Sequence, residues 1–524
     1  MVELFNNSLI AGSVILLLSV ILSKSTNKFG FPILLLFLAI GMFVSNQHVL
    51  NLDYENYELT HSLSLIAICF VIFSGGIMTK TKDIKPIIKT GISLSTLGVL
   101  LTTLFVGGFC YYILNLDVYE SMLIGAILSS TDAAAVFTIF RDKNSQVRKN
   151  VKSILEFESG SNDPMAYLLI TTFLDLYLKK AQLGPALSFN FILNPIIGAI
   201  AGYIFYKAFK YINDKTELDF QGLYPALTIG FLFLTYSLTN KFHGNGFLAV
   251  YIFAIKLGNA KIVHKNALVS FFDGISWLSQ IGLFIMLGIL VKPERLMQIA
   301  PQASIIAIFM IVVGRPLSVF ISTAFSKIDF KSKIFISWSG LKGATPIVFA
   351  SLVATEVGTE AYLIFDIVFF SVLISALVQG MTVKPMAKGL DLVIDAIYDP
   401  EFPIDVEMLQ KTKNGIQELQ IFDYDFACEK RVVDLGLPQG SQVLFLKRGF
   451  SFIIPNGSTV IKEYDKVLVV TPEKSDLEEV IQHFQIDVVA IKNEQEKQRE
   501  IEEREKEEND ENNENKEDDF KQAA

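Results

Sequence analysis

Up to about residue 390 the chain alternates long apolar runs with short polar connectors. Reading runs of roughly 17–25 apolar residues as membrane-crossing helices predicts spans near Leu9–Ser23, Phe31–Ser45, Leu63–Met78, Gly91–Leu114, Ser121–Phe140, Ile154–Leu178, Phe191–Tyr211, Gly222–Thr239, Gly246–Gly258, Phe271–Val291, Ala303–Phe325, Ile334–Ala354 and Ala361–Met381. These are about thirteen candidates, of which the first two and the ninth are short. With the N-terminus outside, connectors on the inner side carry Lys24, Lys28, Lys80, Lys82, Lys85, Lys89, Arg148, Lys152, Lys327, Lys331 and Lys333. Several outer connectors are acidic, through Asp53, Glu55, Glu58, Asp117, Glu120, Glu356 and Glu360. This is the positive-inside distribution, with Lys179 and Lys180 as a mild exception, and an odd number of spans places the C-terminus in the cytoplasm.

After Asp399–Pro403 the pattern changes. Strands are expected at Gly415–Phe422, Gln442–Leu446, Phe450–Pro455 and Lys466–Thr471, and a short helix at Lys474–Phe484. From about Lys492 the chain is rich in Glu, Asn and Lys and is expected to be disordered. The predicted division is a membrane domain over 1–390, a linker over 391–403, a cytoplasmic α/β domain over 404–490 and an acidic tail over 491–524.

Composition sharpens this picture. Hydrophobic residues are 51% of the 524 and charged residues only 19%, against about 25% charge in an ordinary soluble domain. Mean hydropathy is +0.43, so a soluble enzyme is excluded as the expectation. Of the net charge of −9, the stretch from Lys492 onward supplies −7, which makes the acidity a property of the tail and gives no reason to expect nucleic-acid binding. The three cysteines, Cys69, Cys110 and Cys428, are too far apart in sequence to suggest a CxxC pair or a disulfide framework. No basic segment precedes the first run, so no cleavable signal peptide is expected.

Charge at membrane depth is costly and marks function. Asp132, Glu158, Asp163, Arg315 and Lys342 all fall within apolar runs. In Phe157-Glu158-Ser159-Gly160-Ser161-Asn162-Asp163-Pro164, helical spacing puts Ser159 and Asp163 on one face and Glu158 and Asn162 on a neighbouring face. A hydroxyl beside a carboxylate offers hard oxygens to a small cation, and the carboxylate can hold a proton instead. With no His or Cys cluster, a transition-metal site is not expected. The simpler alternative is a buried acid that bridges helices. Two further stretches, Ser129-Ser130-Thr131-Asp132 in the fifth span and Gly340-Leu341-Lys342-Gly343-Ala344-Thr345-Pro346 in the twelfth, can interrupt their helices; a plain kink is the commoner reading of either alone, and it is their pairing that argues for more. Interruptions at matching positions of two inverted halves, here spans one to six and eight to thirteen, point to a transporter's substrate site. Asp132 and Lys342 would offset the opposed helix dipoles where the two breaks cross.

Ser130-Thr131-Asp132, Glu158-Ser159-x-x-Asn162-Asp163-Pro164, Gly314-Arg315-Pro316-Leu317 and Ser337-Trp338-x-Gly340-Leu341-Lys342-Gly343-Ala344 resemble the monovalent cation:proton antiporter family, over roughly residues 5–390. Within it the chain is most similar to bacterial potassium/proton antiporters of the NhaP/CvrA group. The resemblance implies an α-helical polytopic membrane protein with inverted repeats and two broken crossing helices. It implies that Asp163 holds cation and proton in turn, with Asp132, Ser159 and Thr131 (partly through its carbonyl) completing a shell for a monovalent cation. Asn162 would tie the sixth span to the broken fifth, Glu158 and Arg315 would form a structural ion pair, and Lys342 would give electrostatic support. Two departures stand out: Phe73-Ser74-Gly75-Gly76 has Ser where many relatives have an acid, and Lys342 replaces a common Arg, keeping charge but losing the planar fork. Asp175, Lys256, Asp273 and Asp366 read as interfacial or structural charges, Asp366 being the hardest to place.

The stretch Gln417–Phe484 resembles the C-terminal RCK (TrkA-C) domain, on Gly440-Ser441-Gln442-Val443, Leu446-Lys447-Arg448-Gly449 and Tyr464-Asp465-Lys466-Val467. Such domains pair as dimers and bind small regulatory ligands. Lys447 and Arg448 offer charge for an anionic ligand, against the simpler reading of solvated strand-end charges. No Gly-rich dinucleotide fingerprint follows a strand. The expectation is an electroneutral antiporter of the cell membrane, surrounded by lipid, homodimeric and without cofactor, exchanging potassium in preference to sodium for protons. A ligand-gated channel and a membrane sensor without flux are the alternatives of another class; no selectivity-filter repeat of the Thr-x-Gly-Tyr/Phe-Gly type is present.

Overall fold

The computed structural model describes residues 33–45, 57–140, 146–180, 184–216, 222–260, 265–394, 415–449 and 451–485, with a few isolated positions besides. The chain divides into two compact units, Met1–Ala396 and Ile397–Ala524.

The first unit is helical. Its helices are α1 (Ile33–Ser45), α2 (Tyr57–Met78), α3 (Ile88–Leu114), α4 (Val118–Ile127), α5 (Ala133–Ile139), α6 (Lys149–Tyr177), α7 (Pro185–Lys215), α8 (Leu223–Lys241), α9 (Gly246–Gly258), α10 (Lys265–Ile289), α11 (Glu294–Ser322), α12 (Phe330–Trp338), α13 (Thr345–Val357) and α14 (Tyr362–Gly389). Apart from the first run, Leu9–Ser23, which lies largely outside the described residues, each predicted run coincides with one helix or one pair of half-helices. The pairs α4/α5 and α12/α13 are the fifth and twelfth spans, broken at 128–132 and 339–344 as the motifs predicted. A second pair of irregularities repeats the offset. Each of the fourth and eleventh spans contains a π-helical turn, Leu94–Gly98 in α3 and Met310–Gly314 in α11. The first turn lies beside the end of α11, where the Ser93 hydroxyl donates to the Ser322 carbonyl at 2.7 Å.

Packing rather than hydrophobic burial holds helices together in lipid. Gly41 of α1 and Gly288 of α10 lie backbone to backbone, with no room for a side chain at either. The many phenylalanines fill the rest: Phe73 packs against Phe272 and Phe253 with ring centroids 4.4 and 5.6 Å apart, pairs worth about 0.5–1.5 kcal/mol beyond their buried area. The opposite surface of α7 leaves Ile192, Ile196, Ile200 and Ile204 exposed at helical spacing, a face suited to lipid. At the inner end, β1 (Gln146–Val147) pairs antiparallel with β2 (Val393–Ile394).

The second unit contains a four-stranded antiparallel sheet of β3 (Gly415–Gln420), β4 (Gln442–Arg448), β5 (Ser451–Ile453) and β6 (Lys466–Thr471) in the order β3-β6-β4-β5. The predicted strands are all present; β3 and β5 are shorter than expected and β4 runs two residues further, to Arg448. Helix α15 (Leu477–Gln485) covers one face, where Val480 and Phe484 pack with Val443, Leu446, Val467 and Val469. The linker and the acidic tail fall almost entirely outside the described residues.

Candidate functional site

The two breaks cross. The Asp132 N–H donates to the Leu341 carbonyl at 2.8 Å, and a side chain on Gly343 would collide with the Asp132 carboxylate. Each break is then fitted with charge. Asp132 caps α5, its Oδ1 accepting from the Ala135 N–H at 3.0 Å. Lys342 Nζ donates to the Ser130 carbonyl at 2.9 Å, in the break that follows the C-terminal end of α4. Anion at a helix N-terminus and cation at a C-terminus is the favourable arrangement for the dipoles. The Lys342 N–H also donates to Ser375 Oγ of α14 at 3.1 Å, which fixes the second break.

Asp163 lies against this crossing. Helix α6 runs unbroken past it with Pro164 in its interior, so the carbonyl of Gly160 has no N–H four residues on. The neighbouring Pro164 carbonyl is bound from outside the helix by the Asn245 amide at 2.7 Å. Asn245 also caps α9, accepting from the Leu248 N–H. The Asp163 carboxylate is 8% exposed and each of its oxygens meets a hydroxyl from a different broken span. Ser130 Oγ donates to Oδ1, and Thr345 Oγ1, in the first turn of α13, donates to Oδ2 at 3.3 Å.

Ser159 and Asn162 hold the unwound part of the fifth span. Ser159 Oγ donates to the Thr131 carbonyl at 3.1 Å and accepts from the Ala133 N–H at 3.0 Å. The Asn162 amide donates to Thr131 Oγ1 at 2.6 Å. Glu158 and Arg315 form a salt bridge with both side chains almost fully buried. The π-turn directly before Arg315 precedes the residue that makes this bridge, and Gly340 leaves room for the guanidinium.

The geometry thus brings together Asp132, Thr131, Glu158, Ser159, Asn162, Asp163, Arg315 and Lys342. The residues expected to form the cation shell also have partners within the protein. Ser159 and the Thr131 carbonyl are bonded to each other, and Asp132 is a helix cap, whereas the hydroxyls on Asp163 are Ser130 and Thr345. Both stand inside motifs visible in the sequence, but only the crossing reveals their common target. Asp366 is placed by an ion pair to Arg295 at 2.9 Å, beside stacked Tyr57 and Tyr362. Ser74 is buried on α2.

In the second unit Lys447 and Arg448 differ in exposure, Arg448 being partly exposed. Lys447 is buried, and burial pushes its ammonium below the usual lysine range. Arg448 binds Asp465 through Nε at 3.0 Å and Nη2 at 2.7 Å and donates to the Val460 carbonyl, which raises its guanidinium further above neutrality.

Comparison with known proteins places this arrangement. The family profile of the transmembrane sodium/hydrogen exchangers matches residues 13–389, and that of the TrkA-C domain matches residues 427–485. The K(+)/H(+) antiporter NhaP of Alkalimonas amylolytica is 32% identical over 476 residues, covering 89% of this chain and 81% of that protein. The K(+)/H(+) antiporter NhaP2 of Shewanella baltica is 31% identical over 490 residues, covering 90% and 82%. The solved structure of the sodium proton antiporter MjNhaP1 of Methanocaldococcus jannaschii has a similar fold, with a TM-score of 0.63 at 23% identity over 72% of this chain and 97% of that one. The chain belongs to the sodium/hydrogen exchanger family of membrane transporters and carries a C-terminal TrkA-C domain.

Proposed function

We propose that the protein is a secondary-active antiporter of the cell membrane that exchanges a monovalent cation, potassium in preference to sodium, for protons one for one. The observation that carries this reading is Asp163, a nearly buried carboxylate met by one hydroxyl from each broken span. A carboxylate binds a proton or a hard cation, not both, so each displaces the other. Hydroxyl oxygens turn their lone pairs toward a cation and their hydrogens toward a bare carboxylate, so the same groups serve both loaded and empty states. Asp163 carries the cation and the proton. Asp132 and Lys342 neutralise the half-helix ends, while Ser159, Asn162 and Thr131 hold the unwound segment in place and line the cation's approach. Glu158 and Arg315 are a structural pair. Potassium is favoured on the similarity to relatives named as K(+)/H(+) antiporters over most of the chain.

The proposed organisation is a transporting membrane domain over 1–390, a linker to 403, a cytoplasmic domain over 404–490 that regulates exchange and a dispensable tail over 491–524, in a homodimer. The test is proton-coupled flux by purified protein in liposomes. Asp163→Asn keeps the shape and removes the exchangeable charge. It is expected to insert into the membrane and to show no exchange with either potassium or sodium. Wild-type flux in that variant would eliminate Asp163 as the carrier. A swap of potassium for sodium in the same vesicles decides the preferred ion.

A further inference from the structure

We propose that Thr345 is a specificity-determining cation ligand, its Oγ1 joining Ser130 Oγ and the Asp163 carboxylate around the ion. This rests on the reading of Asp163 as carrier and adds a residue from the other broken span. Three observations support it. Thr345 Oγ1 is 3.3 Å from Asp163 Oδ2, the oxygen that Ser130 does not bind. Thr345 opens α13 and is followed by Pro346, whose ring pre-sets the backbone for the helix, so the hydroxyl is presented by a rigid turn. The break before it is fixed by Lys342 on Ser130 and Ser375. Discrimination among monovalent cations depends on the number and strength of the oxygens that replace the water shell. A hydroxyl delivered from the second broken span is such an oxygen, and it makes the shell depend on how the two breaks sit against each other.

The test separates chemistry from shape. Thr345→Val keeps the branched shape and loses the hydroxyl; Thr345→Ser keeps the hydroxyl and loses a methyl. In liposomes, Thr345→Val is expected to raise the KM for potassium about tenfold, equivalent to ~1.4 kcal/mol, with a smaller effect on maximal rate, and to change the ratio of potassium to sodium KM. Thr345→Ser is expected to stay within about threefold of the wild-type KM. A wild-type KM in Thr345→Val, or equal impairment in both variants, overturns the proposal. Flux by Asp163→Asn, measured alongside, tests the carrier reading separately.

An independent observation concerns the inner end of the same unit. The chain leaving α14 is strapped to both core spans before it continues toward the second unit. β2 pairs with β1, Val393 opposite Val147. The Arg148 N–H donates to the Leu392 carbonyl at 3.0 Å and its Nη2 to the Asp391 carbonyl at 3.1 Å. Arg148 is the N-cap residue of α6, the helix that carries Asp163. Lys331, in the first turn of α12, binds Asp391 at 2.6 Å and holds its carboxyl below the usual range. We infer that this strap transmits the regulatory domain's influence to the carrier site, because a pull on residues 391–394 acts directly on the inner ends of α6 and α12.

Ile394→Pro removes a ladder N–H, since the Arg148–Leu392 bond makes Gln146/Ile394 the next hydrogen-bonded pair of the register, and it is expected to move the pH–activity midpoint of the full chain to that of a chain truncated after Asp399, with no further shift when introduced into the truncated chain. If the proline variant fails to insert, Arg148→Gln/Lys331→Gln removes both side-chain bonds to Asp391 and is expected to shift the midpoint in the same direction. An unchanged midpoint in the inserted variant, or an equal shift in full and truncated chains, overturns the strap. A truncated chain with the wild-type midpoint overturns the regulatory reading itself.

Discussion

Glu158→Gln isolates the energetics of the core. The substitution is nearly isosteric and removes one charge from a salt bridge whose two side chains are 1% and 2% exposed. Arg315 donates to Glu158 through Nη2, and its Nε and Nη1 have no hydrogen-bond partner among the described residues. Nothing already in place takes over the charge. The guanidinium also has little room to move, since the Gly340 backbone packs directly beside Nε. Lys342 is close enough for electrostatic interaction with both members of the pair, so removing Glu158 leaves two cations facing each other. Stranding one partner of a buried pair costs about 3–5 kcal/mol, which corresponds to a fall in melting temperature of about 4–6 °C for a domain of this size. Thermal unfolding in detergent, followed by size exclusion, reads the shift, and flux in liposomes well below the melting point reads function. Glu158→Gln is expected to melt early and to exchange ions at a reduced rate, because the loaded core then keeps one uncompensated positive charge. The double variant Glu158→Gln/Arg315→Gln carries no stranded charge and is expected to recover most of the lost stability, a coupling that a double-mutant cycle measures. A single variant that melts like wild type yet transports nothing would refute the structural assignment and put Glu158 on the ion path. A double variant as unstable as the single would refute the charge argument.

Three further outcomes are expected. The proposed one-for-one exchange is expected to leave the flux ratio unchanged under a clamped membrane potential in liposomes; flux reversed in proportion to the potential would rule out a single titrating carboxylate. Truncation after Asp399 leaves a protein that still exchanges ions but with a shifted pH midpoint, read in everted vesicles, and complete loss of exchange in a well-inserted truncation would contradict a purely regulatory domain. Ser159→Ala removes two hydrogen bonds to the unwound segment, each worth about 0.5–1.5 kcal/mol, so the apparent cation KM is expected to rise several-fold with exchange retained, and an unchanged KM would show that the segment holds its place without Ser159.

What the sequence reveals here follows from cost. A carboxylate in an apolar run is expensive wherever it points, so Asp163, Glu158 and Asp132 are visible without a structure. The second break is visible too, because Gly340, Gly343 and Pro346 crowd three helix-weakening residues into seven positions; the first, at Ser129–Asp132, has no Gly or Pro and shows only through its polar run. Hydroxyls carry no such signal. In this chain Thr102 and Thr103 return their hydrogens to the carbonyls of Gly98 and Val99, as serine and threonine in membrane helices commonly do. Nothing in a linear reading separates them from Ser130 and Thr345, which reach a carboxylate on another helix. The π-turns leave no periodic trace, since a single extra residue shifts the pattern without breaking it. The partner of Asp366 lies 71 residues away in Arg295, at a connector where a positive charge draws no attention. The strap at β1 and β2 is too short for any alternation to appear.

The formal charges at the crossing bear on coupling. Asp132, Glu158 and Asp163 face Arg315 and Lys342, three anions against two cations at ordinary protonation. With Asp163 as the proposed carrier, one negative charge remains when it is empty, and that charge disappears when it holds a proton or a monovalent cation. An uncompensated charge within the apolar span costs several kcal/mol, and the membrane potential acts on it by about 2.3 kcal/mol per 100 mV. The empty core is thus penalised in crossing between faces, while the proton-loaded and cation-loaded cores are alike in charge and cross without electrical work. A proton leak through this core would require the empty form to return, which is the step the charge count disfavours. Coupling of cation to proton then needs no separate gate, because it follows from placing one unpaired carboxylate among groups that otherwise balance.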